Sequence, residues 1–526
     1  DLGFSPDGKQ LAYASEREGV WNIYTASIVV KEDISFPYAT LIEEKPLFKN
    51  NKVDRRAPVY SPDGKEIAYI ENRDRLMIMN LESGKTRQIT DGSNCYSTAG
   101  SFAYSWSPDG KWITMSCCAN GHYPYEDIVV VSTKGGEPLI DLTNSGYTDS
   151  SPQWVLGGNA ILFKSERYGM RNHASWGTLE DVMIVFMNRK AFDEFKMTKE
   201  QKELEKEIAG LSKKEDVKES SEKKAEFKEI VMEFDGIEDR IIRLTPTSAT
   251  LGSATLSKDG DFLYYQASYE GGMNLWKYDI KEGNPSKIGS ARGRMLWDSK
   301  FKNLYVLGST FSKMKDGAKN LEKIAVKTEL KMDRVAEREY MFNHVYRQEK
   351  ERFYNEKMHG VNWEMLTSAY RKFLPHIHNN YDFAELLSEY LGELNVSHTG
   401  SGYRVPGSPN SVSTANLGVF FDLDWKEDGL KVSEIIEKGP FDKASSKLEA
   451  GDVIVSIDGN TIKSGEDYYP LLDRKVGKRV SLTVMKPSGE QINIVTVPVS
   501  ESVISDLLYD RWVKQNAEKV QKLSNG

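Results

Sequence analysis

Two adjacent residues, Ser397 and His398, have side chains that together could take part in acyl transfer. An imidazole titrates near neutral pH, so it can take a proton from a hydroxyl group and later donate it to a leaving amine. A histidine in a loop is, however, more often ordinary polar surface than a general base. The pair therefore indicates nucleophilic chemistry only if a rigid element positions it.

Other patterns that could carry chemistry are weaker. His376 and His378 could hold a metal ion, but no His-Glu-x-x-His pattern and no acidic third ligand lies near them. The run Gly84-Lys85-Thr86 lacks the upstream glycine of a phosphate-binding loop, and no Gly-x-Ser-x-Gly elbow occurs. We therefore expect no metal site and no cofactor.

The residues before Ser397 predict the helix that positions the pair. Apolar side chains recur there at i, i+3, i+4, i+7 and i+8 spacing, which is the pattern of a helix with one buried face. These side chains are Phe383, Leu386, Leu387, Tyr390, Leu391 and Leu394. We expect Asp382 to cap the start of this helix and the helix to end near Glu393. Residues 395–400 then form a loop, which is a common location for catalytic groups.

A repeat with a period near 50 residues dominates the first 330 residues. The string Ser-Pro-Asp-Gly-Lys begins at residues 5, 61 and 107, and a looser copy begins at residue 257. Proline and Asp-Gly favour hairpin turns, and a β-rich segment follows each copy. Such periods predict a β-propeller of about six or seven blades, in which these turns have a structural role alone. The charged segment 189–229 predicts a solvated, partly helical insertion within one blade.

Composition excludes several classes of function. The 526 residues carry a formal net charge of −8 and include three cysteines. Nucleic acid is not expected as a partner, because its binding needs clustered Lys and Arg. No stretch approaches the roughly 20 consecutive apolar residues that span a bilayer, so we expect no membrane insertion. Three cysteines can form neither a disulfide framework nor a four-ligand zinc site.

Two parts of the sequence resemble known families. The Ser-Pro-Asp-Gly-Lys turns resemble those of TolB-like propellers. A later run resembles the helical subdomain of tricorn proteases, which belong with the C-terminal processing serine peptidases. This run consists of Arg338–Tyr340, His359–Trp363, Tyr381–Leu387 and Leu391–Thr399. The resemblance implies that His398 is the general base and that Ser397 is its neighbour in a catalytic tetrad.

A third resemblance, to PDZ domains, covers the residues that follow. The string Leu448–Gly459 matches the bacterial PDZ signature, and Leu417, Gly418, Val419 and Phe420 resemble its carboxylate-binding loop. Backbone N–H groups of such a loop can bind the C-terminal carboxylate of a peptide. An equally weighted alternative is that the PDZ domain is architectural and binds no peptide.

The sequence thus predicts a multidomain chain, mainly β, with a β-propeller, an α-helical subdomain and an α/β PDZ domain. The predicted domains are the propeller at 1–328, the first catalytic subdomain at 329–410 and the PDZ domain at 411–500. Residues 501–526 are expected to open a second catalytic subdomain.

The tricorn resemblance also implies a function. It implies a serine peptidase, of endopeptidase or carboxypeptidase type, that degrades peptides and assembles as a homo-oligomer, a hexamer in that family. There the nucleophilic serine and a tetrad glutamate follow the last helix, so we expect them beyond residue 526 and expect this segment alone to be inactive. The expected compartment is the cytoplasm, with export to the periplasm as the alternative. The rival interpretation is a non-catalytic scaffold that binds peptides through the propeller and the PDZ domain.

Overall fold

A computed structural model gives the fold of the chain as two compact units, residues 1–333 and 334–526. It describes the ranges 2–49, 52–94, 102–121, 124–171, 178–212, 229–269, 272–404, 407–408, 410–444 and 446–526.

The first unit contains, in its described part, six four-stranded antiparallel sheets in which the strands follow chain order from one edge to the other. The first three sheets consist of β1 (Leu2–Phe4), β2 (Gln10–Ser15), β3 (Asn22–Ile28), β4 (Ile42–Pro46), β5 (Arg55–Tyr60), β6 (Glu66–Glu71), β7 (Arg75–Asn80), β8 (Thr86–Gln88), β9 (Tyr104–Trp106), β10 (Trp112–Cys117), β11 (Asp127–Ser132) and β12 (Ile140–Asp141). The next three consist of β13 (Asp149–Val155), β14 (Ala160–Ser165), β15 (Asp181–Phe186), β16 (Ile241–Arg243), β17 (Leu251–Leu256), β18 (Phe262–Ala267), β19 (Asn274–Asp279), β20 (Asn284–Ser290), β21 (Arg294–Trp297), β22 (Asn303–Leu307), β23 (Phe311–Lys315) and β24 (Glu322–Ile324).

The core of this unit lies on the middle strands of the sheets. In the second sheet, for example, Ile67 and Ile70 of β6 and Leu76 and Ile78 of β7 are completely buried. The first strand of every sheet instead contributes residues to one central cavity of about 1050 Å³. Four-stranded sheets arranged around a central channel are the architecture of a β-propeller. The predicted fold class is therefore confirmed for this unit.

The repeated Ser-Pro-Asp-Gly turns share one hydrogen-bond pattern. At the first copy, the Ser5 hydroxyl donates to Asp7 Oδ1 at 2.6 Å, and the same oxygen accepts the Lys9 N–H at 3.0 Å. The copies that begin at residues 61, 107 and 257 repeat both bonds. The bond from Ser5 lowers the pKa of Asp7, because it stabilises the ionised carboxylate. The repeat is thus a self-supporting turn.

The same turns also connect neighbouring sheets. A Cβ atom placed on Gly64 would lie 3.3 Å from Pro6 Cδ of the preceding turn, and one on Gly110 would lie 3.7 Å from Pro62 Cδ. Each of these glycines adopts a left-handed backbone, with φ of +72° and +70°. Proline of one turn therefore packs against glycine of the next at these two positions, whereas a Cβ atom on Gly260 would instead meet Leu156 and Phe195.

The predicted charged insertion connects β15 and β16 of one sheet. Its described helices are α1 (Arg189–Lys196) and α2 (Lys199–Ser212). The rings of Phe195 and Phe186 are 4.9 Å apart, and Lys202 Nζ lies 2.9 Å from an Asp261 carboxylate oxygen. These helices therefore pack on the propeller. The rest of the predicted insertion, 213–228, lies outside the described residues.

The second unit begins with three helices, which form the predicted α-helical subdomain. They are α3 (Arg334–Arg352), α4 (Trp363–Arg371) and α5 (Asn380–Gly392). Trp363 and Tyr390 stack at 4.1 Å, and the Tyr390 hydroxyl shares a 2.6 Å hydrogen bond with Thr367. Burial raises the pKa of Tyr390, so its hydroxyl stays protonated in this core.

The predicted cap of α5 was wrong. Asn379, rather than Asp382, is the N-cap, because its side-chain oxygen accepts the Asp382 N–H at 2.9 Å. Asp382 instead occupies the first turn of α5, where its charge is favourable near the helix N-terminus.

The PDZ part of the second unit is a sheet followed by a long helix. Its elements are β25 (Val419–Phe421), β26 (Leu430–Ile435), β27 (Val453–Ile457), β28 (Asn460–Thr461), β29 (Val480–Met485), β30 (Gln491–Thr496) and α6 (Glu501–Leu523). The strand order is β25-β26-β27-β29-β30, and β28 pairs with β27. Leu417, Val432, Ile454 and Leu482 lie in its apolar core.

Candidate active-site loop and PDZ loop

The first candidate site is a turn directly after α5, residues 395–399, which we call the Ser-His loop. Ser397 and His398 are both exposed on it, and neither side chain has a hydrogen-bond partner among the described residues. The Thr399 hydroxyl closes the turn by donating to the Val396 carbonyl at 3.0 Å. The backbone of His398 is left-handed, with φ of +67°. Non-glycine residues adopt this conformation uncommonly, His more often than most, and sparsely populated backbones are enriched at functional sites.

The residues at the end of α5, directly before the Ser-His loop, fix its starting point. The side chain of Leu394 is completely buried in the helical core. Its carbonyl oxygen lies 3.0 Å from His359 Nδ1, and Glu393 accepts a 2.8 Å hydrogen bond from the Tyr370 hydroxyl. Burial, together with the bond to Glu393, raises the pKa of Tyr370 to about 12. The loop therefore starts from a fixed point and leaves its two polar side chains accessible.

The second candidate site, residues 416–420, is called the PDZ loop here. Leu417 and Val419 direct their side chains into the PDZ core, while Phe420 is partly exposed. The Gly418 N–H, one of the groups that could bind a carboxylate, donates to Asn416 Oδ1 at 2.7 Å. The backbone of Asn416 also exchanges hydrogen bonds of 2.8 and 3.0 Å with Val499. The chain itself thus occupies one N–H group that a peptide carboxylate would need.

Helix α6 packs against the PDZ loop. Ile504 is buried, and its Cδ1 atom would lie 3.4 Å from a Cβ atom placed on Gly418. The Arg511 guanidinium lies 5.5 Å from the centre of the Phe420 ring and forms an ion pair with Glu434. The chain therefore covers this face of the PDZ domain with its own helix.

Metal-binding clusters and membrane-spanning helices are both absent from the described residues. No group of three or more His, Cys, Asp or Glu side chains there could hold a metal ion. In the same part of the chain, every helix is too short or too polar to cross a membrane.

Comparison with known proteins matches the two domains of the second unit. A family model described as the tricorn protease C1 domain matches residues 334–392, and a PDZ domain model matches residues 415–497. The chain is similar to the tricorn proteases. The PDZ loop lies inside the second match, whereas Ser397 and His398 fall between the two matched ranges.

Curated tricorn-like proteins align with most of the chain. Tricorn protease homolog 1 of Streptomyces coelicolor is 23% identical over 504 residues, which cover 89% of this chain and 45% of the relative. A tricorn protease homolog of Saccharolobus solfataricus is 22% identical over 511 residues, covering 89% of this chain and 43% of that protein. The chain thus spans about half the length of the curated relatives it matches.

A solved structure extends the similarity to the fold. The crystal structure of the tricorn protease superposes with a TM-score of 0.67 at 15% sequence identity, over 98% of this chain and 49% of that one. The tricorn-like order of propeller, helical subdomain and PDZ domain is therefore supported over nearly the whole chain.

Proposed function

We propose that the chain is part of a tricorn-like serine peptidase that cleaves peptides by acyl transfer, with His398 as the general base. The observation that carries this proposal is the Ser-His loop itself. Its imidazole is exposed and unpartnered among the described residues, yet the loop is fixed at Leu394 by burial and by hydrogen bonding. A general base needs that combination of access and fixed position.

In the proposed reaction, a serine hydroxyl oxygen attacks the peptide carbonyl carbon while His398 accepts the hydroxyl proton. The resulting imidazolium then donates this proton to the leaving amine as the C–N bond breaks. Water hydrolyses the acyl-enzyme by the same proton transfers. Ser397 contributes a second hydroxyl beside the base, as the resemblance to the tetrad implies.

The test is a comparison of two histidine variants in the full-length gene product. His398→Ala should lower kcat for a peptide substrate by about 10² to 10⁴-fold, the usual contribution of a general base. His376→Ala removes another exposed histidine of the same subdomain and should leave kcat unchanged. Equal kcat in both variants would remove His398 from its proposed role.

The second candidate is capture of peptide C-termini by the PDZ loop, without catalysis. The PDZ match favours it, whereas the occupied N–H of Gly418 weighs against it. Fluorescence anisotropy with a peptide carrying either a free or an amidated C-terminus decides the matter. Tighter binding of the free carboxylate by the 526-residue chain would support the scaffold, and equal binding would oppose it.

Peptides are the proposed substrates, and a hexamer is the proposed assembly, on the tricorn resemblance alone. Light scattering coupled to gel filtration of the full-length gene product tests the hexamer, and a monomer or dimer would contradict it. We place this peptidase in the cytoplasm, which cell fractionation tests.

A further inference from the structure

His359 contacts the start of the Ser-His loop from another segment of the chain. Its Nδ1 atom lies 3.0 Å from the Leu394 carbonyl oxygen. A carbonyl oxygen can only accept, so Nδ1 carries the proton of this bond. In the neutral ring Nε2 is then an acceptor, and it pairs with the hydroxyl of Tyr354. One tautomer therefore satisfies both contacts.

The turn around His359 is strained. Met358 and His359 both adopt the left-handed backbone conformation, with φ of +46° and +55°. Such residues persist only where the surrounding structure imposes the conformation. Here Met358 is buried in the helical core, and the Phe353 ring meets the imidazole edge-on at 5.1 Å. The core therefore holds the imidazole in the position that reaches Leu394.

The Leu394 carbonyl lies just past the end of α5, where backbone carbonyls lack partners within the helix. Helix ends fray unless side chains or solvent satisfy these groups. His359 supplies the missing donor from a separate part of the chain. This bond lies only four residues before His398.

We propose that His359 is a positioning residue, which fixes the Leu394 carbonyl and so the starting point of the Ser-His loop. The catalytic part of this inference depends on the proposed role of His398. His359 itself touches no reacting atom in this account. His359 affects catalysis only by fixing the direction in which the backbone leaves α5 toward His398.

A matched pair of substitutions isolates the hydrogen bond. His359→Asn places an amide N–H near the position of Nδ1, whereas His359→Asp has the same size but, when ionised, only accepts. Asn and Asp both tolerate the left-handed backbone. The two variants therefore differ in their ability to donate to Leu394.

Hydrogen exchange and steady-state kinetics compare His359→Asn with His359→Asp. Hydrogen exchange in the 526-residue chain should be about tenfold faster at the Asn395 amide, which bonds to the Gly392 carbonyl, in His359→Asp than in His359→Asn. The amide of Leu387, in the middle of α5, should not differ between them. In the full-length gene product, His359→Asp should lower kcat about tenfold with KM unchanged, and His359→Asn should stay within about threefold of the parent.

Equal exchange at Asn395 in the two variants would overturn the contact. A difference in exchange without a difference in kcat, when His398→Ala is inactive, would overturn the positioning role. Full turnover by His398→Ala would instead refute the proposed function. The difference in Asn395 exchange between His359→Asp and His359→Asn would then still support or overturn the hydrogen bond from His359 to Leu394.

Discussion

The Ser-His loop and the PDZ loop are held in opposite ways. The first is anchored through Leu394, outside its own functional groups, and the side chains of Ser397 and His398 stay unpartnered among the described residues. The second is anchored through one of the groups that could bind a ligand, since the Gly418 N–H donates to Asn416, and Gly418 packs beside Ile504. The polar side chains of the Ser-His loop thus stay accessible after folding, whereas the Gly418 N–H of the PDZ loop already has an acceptor within the chain.

Removal of the anchor of the Ser-His loop should have the largest effect on stability. Leu394→Ala deletes a completely buried side chain and should lower the free energy of unfolding by about 2–5 kcal/mol. Leu423→Ala is the control, because Leu423 is 88% exposed and its loss should cost less than about 0.5 kcal/mol. Hydrogen exchange of the α5 amides, resolved by mass spectrometry, measures both. Similar exchange in the two variants would show that Leu394 is not the anchor.

Crowding of the PDZ loop should have the next largest effect. At Gly418, φ is +71° and an added Cβ would lie 2.5 Å from Pro440 Cδ, so Gly418→Ala combines backbone strain with a clash. At Gly489, φ is +86° and an added Cβ would have no neighbouring atom within 4 Å, so Gly489→Ala introduces backbone strain without a clash. We expect Gly418→Ala to lower the stability of β27 and β29 by about 1–3 kcal/mol more than Gly489→Ala does, as measured by amide exchange in these strands. Equal losses of stability in Gly418→Ala and Gly489→Ala would mean that the PDZ loop can shift to accommodate the added Cβ atom.

Release of the Gly418 N–H tests whether occupation closes the PDZ loop to peptides. Asn416→Ala removes the acceptor of that N–H and a 2.7 Å bond to Glu501, and should cost about 1–2 kcal/mol. If occupation is what blocks ligands, this variant should bind a peptide with a free C-terminus more tightly than the parent does. Asn493→Ala, on the exposed face of β30, is the control. Unchanged binding by Asn416→Ala would contradict the idea that the Gly418–Asn416 hydrogen bond blocks peptide binding.

Ionisation of Tyr370 at high pH should cause a smaller loss of stability at the end of α5, next to the Ser-His loop. The pKa of Tyr370 is raised from 10.0 to about 12, mainly by burial, so the folded state keeps the phenol proton more tightly than the unfolded state does. Its contribution is complete below about pH 10 and is lost as pH rises toward 12. Because the Tyr370 bond to Glu393 is exposed, we expect a loss below about 1 kcal/mol.

The measurement is α5 amide exchange between pH 9 and 12, corrected for the intrinsic exchange rate. Tyr370→Phe lacks the titrating group and should show a flatter pH dependence than the parent. Identical pH dependence in the two proteins would remove Tyr370 from the anchor.

Much of the architecture could be predicted, because its signals are local. The Ser-Pro-Asp-Gly turn forms its bonds within five residues, and the apolar stripe of α5 is a property of one helix. The choice between Asn379 and Asp382 as N-cap could not be read in the same way, since both residue types cap helices. It depends on the extended backbone of Asn379, with φ of −138°.

The contacts that define the candidate sites join distant residues. His359 and Leu394 are 35 residues apart, and Asn416 and Glu501 are 85 apart. Neither pair follows a sequence period, and the first also depends on a left-handed turn at Met358 and His359. The sequence could therefore nominate Ser397, His398 and the PDZ loop, but not show which of the two loops keeps its polar groups unpartnered.

A structure of the full-length gene product with a peptidyl phosphonate bonded to its nucleophilic serine would show whether His398 is the general base. We expect His398 Nε2 to lie within about 3.2 Å of the phosphonylated serine oxygen, at hydrogen-bond distance. This expectation is contradicted if another base occupies that position, or if the His398 imidazole lies beyond the reach of one bridging water.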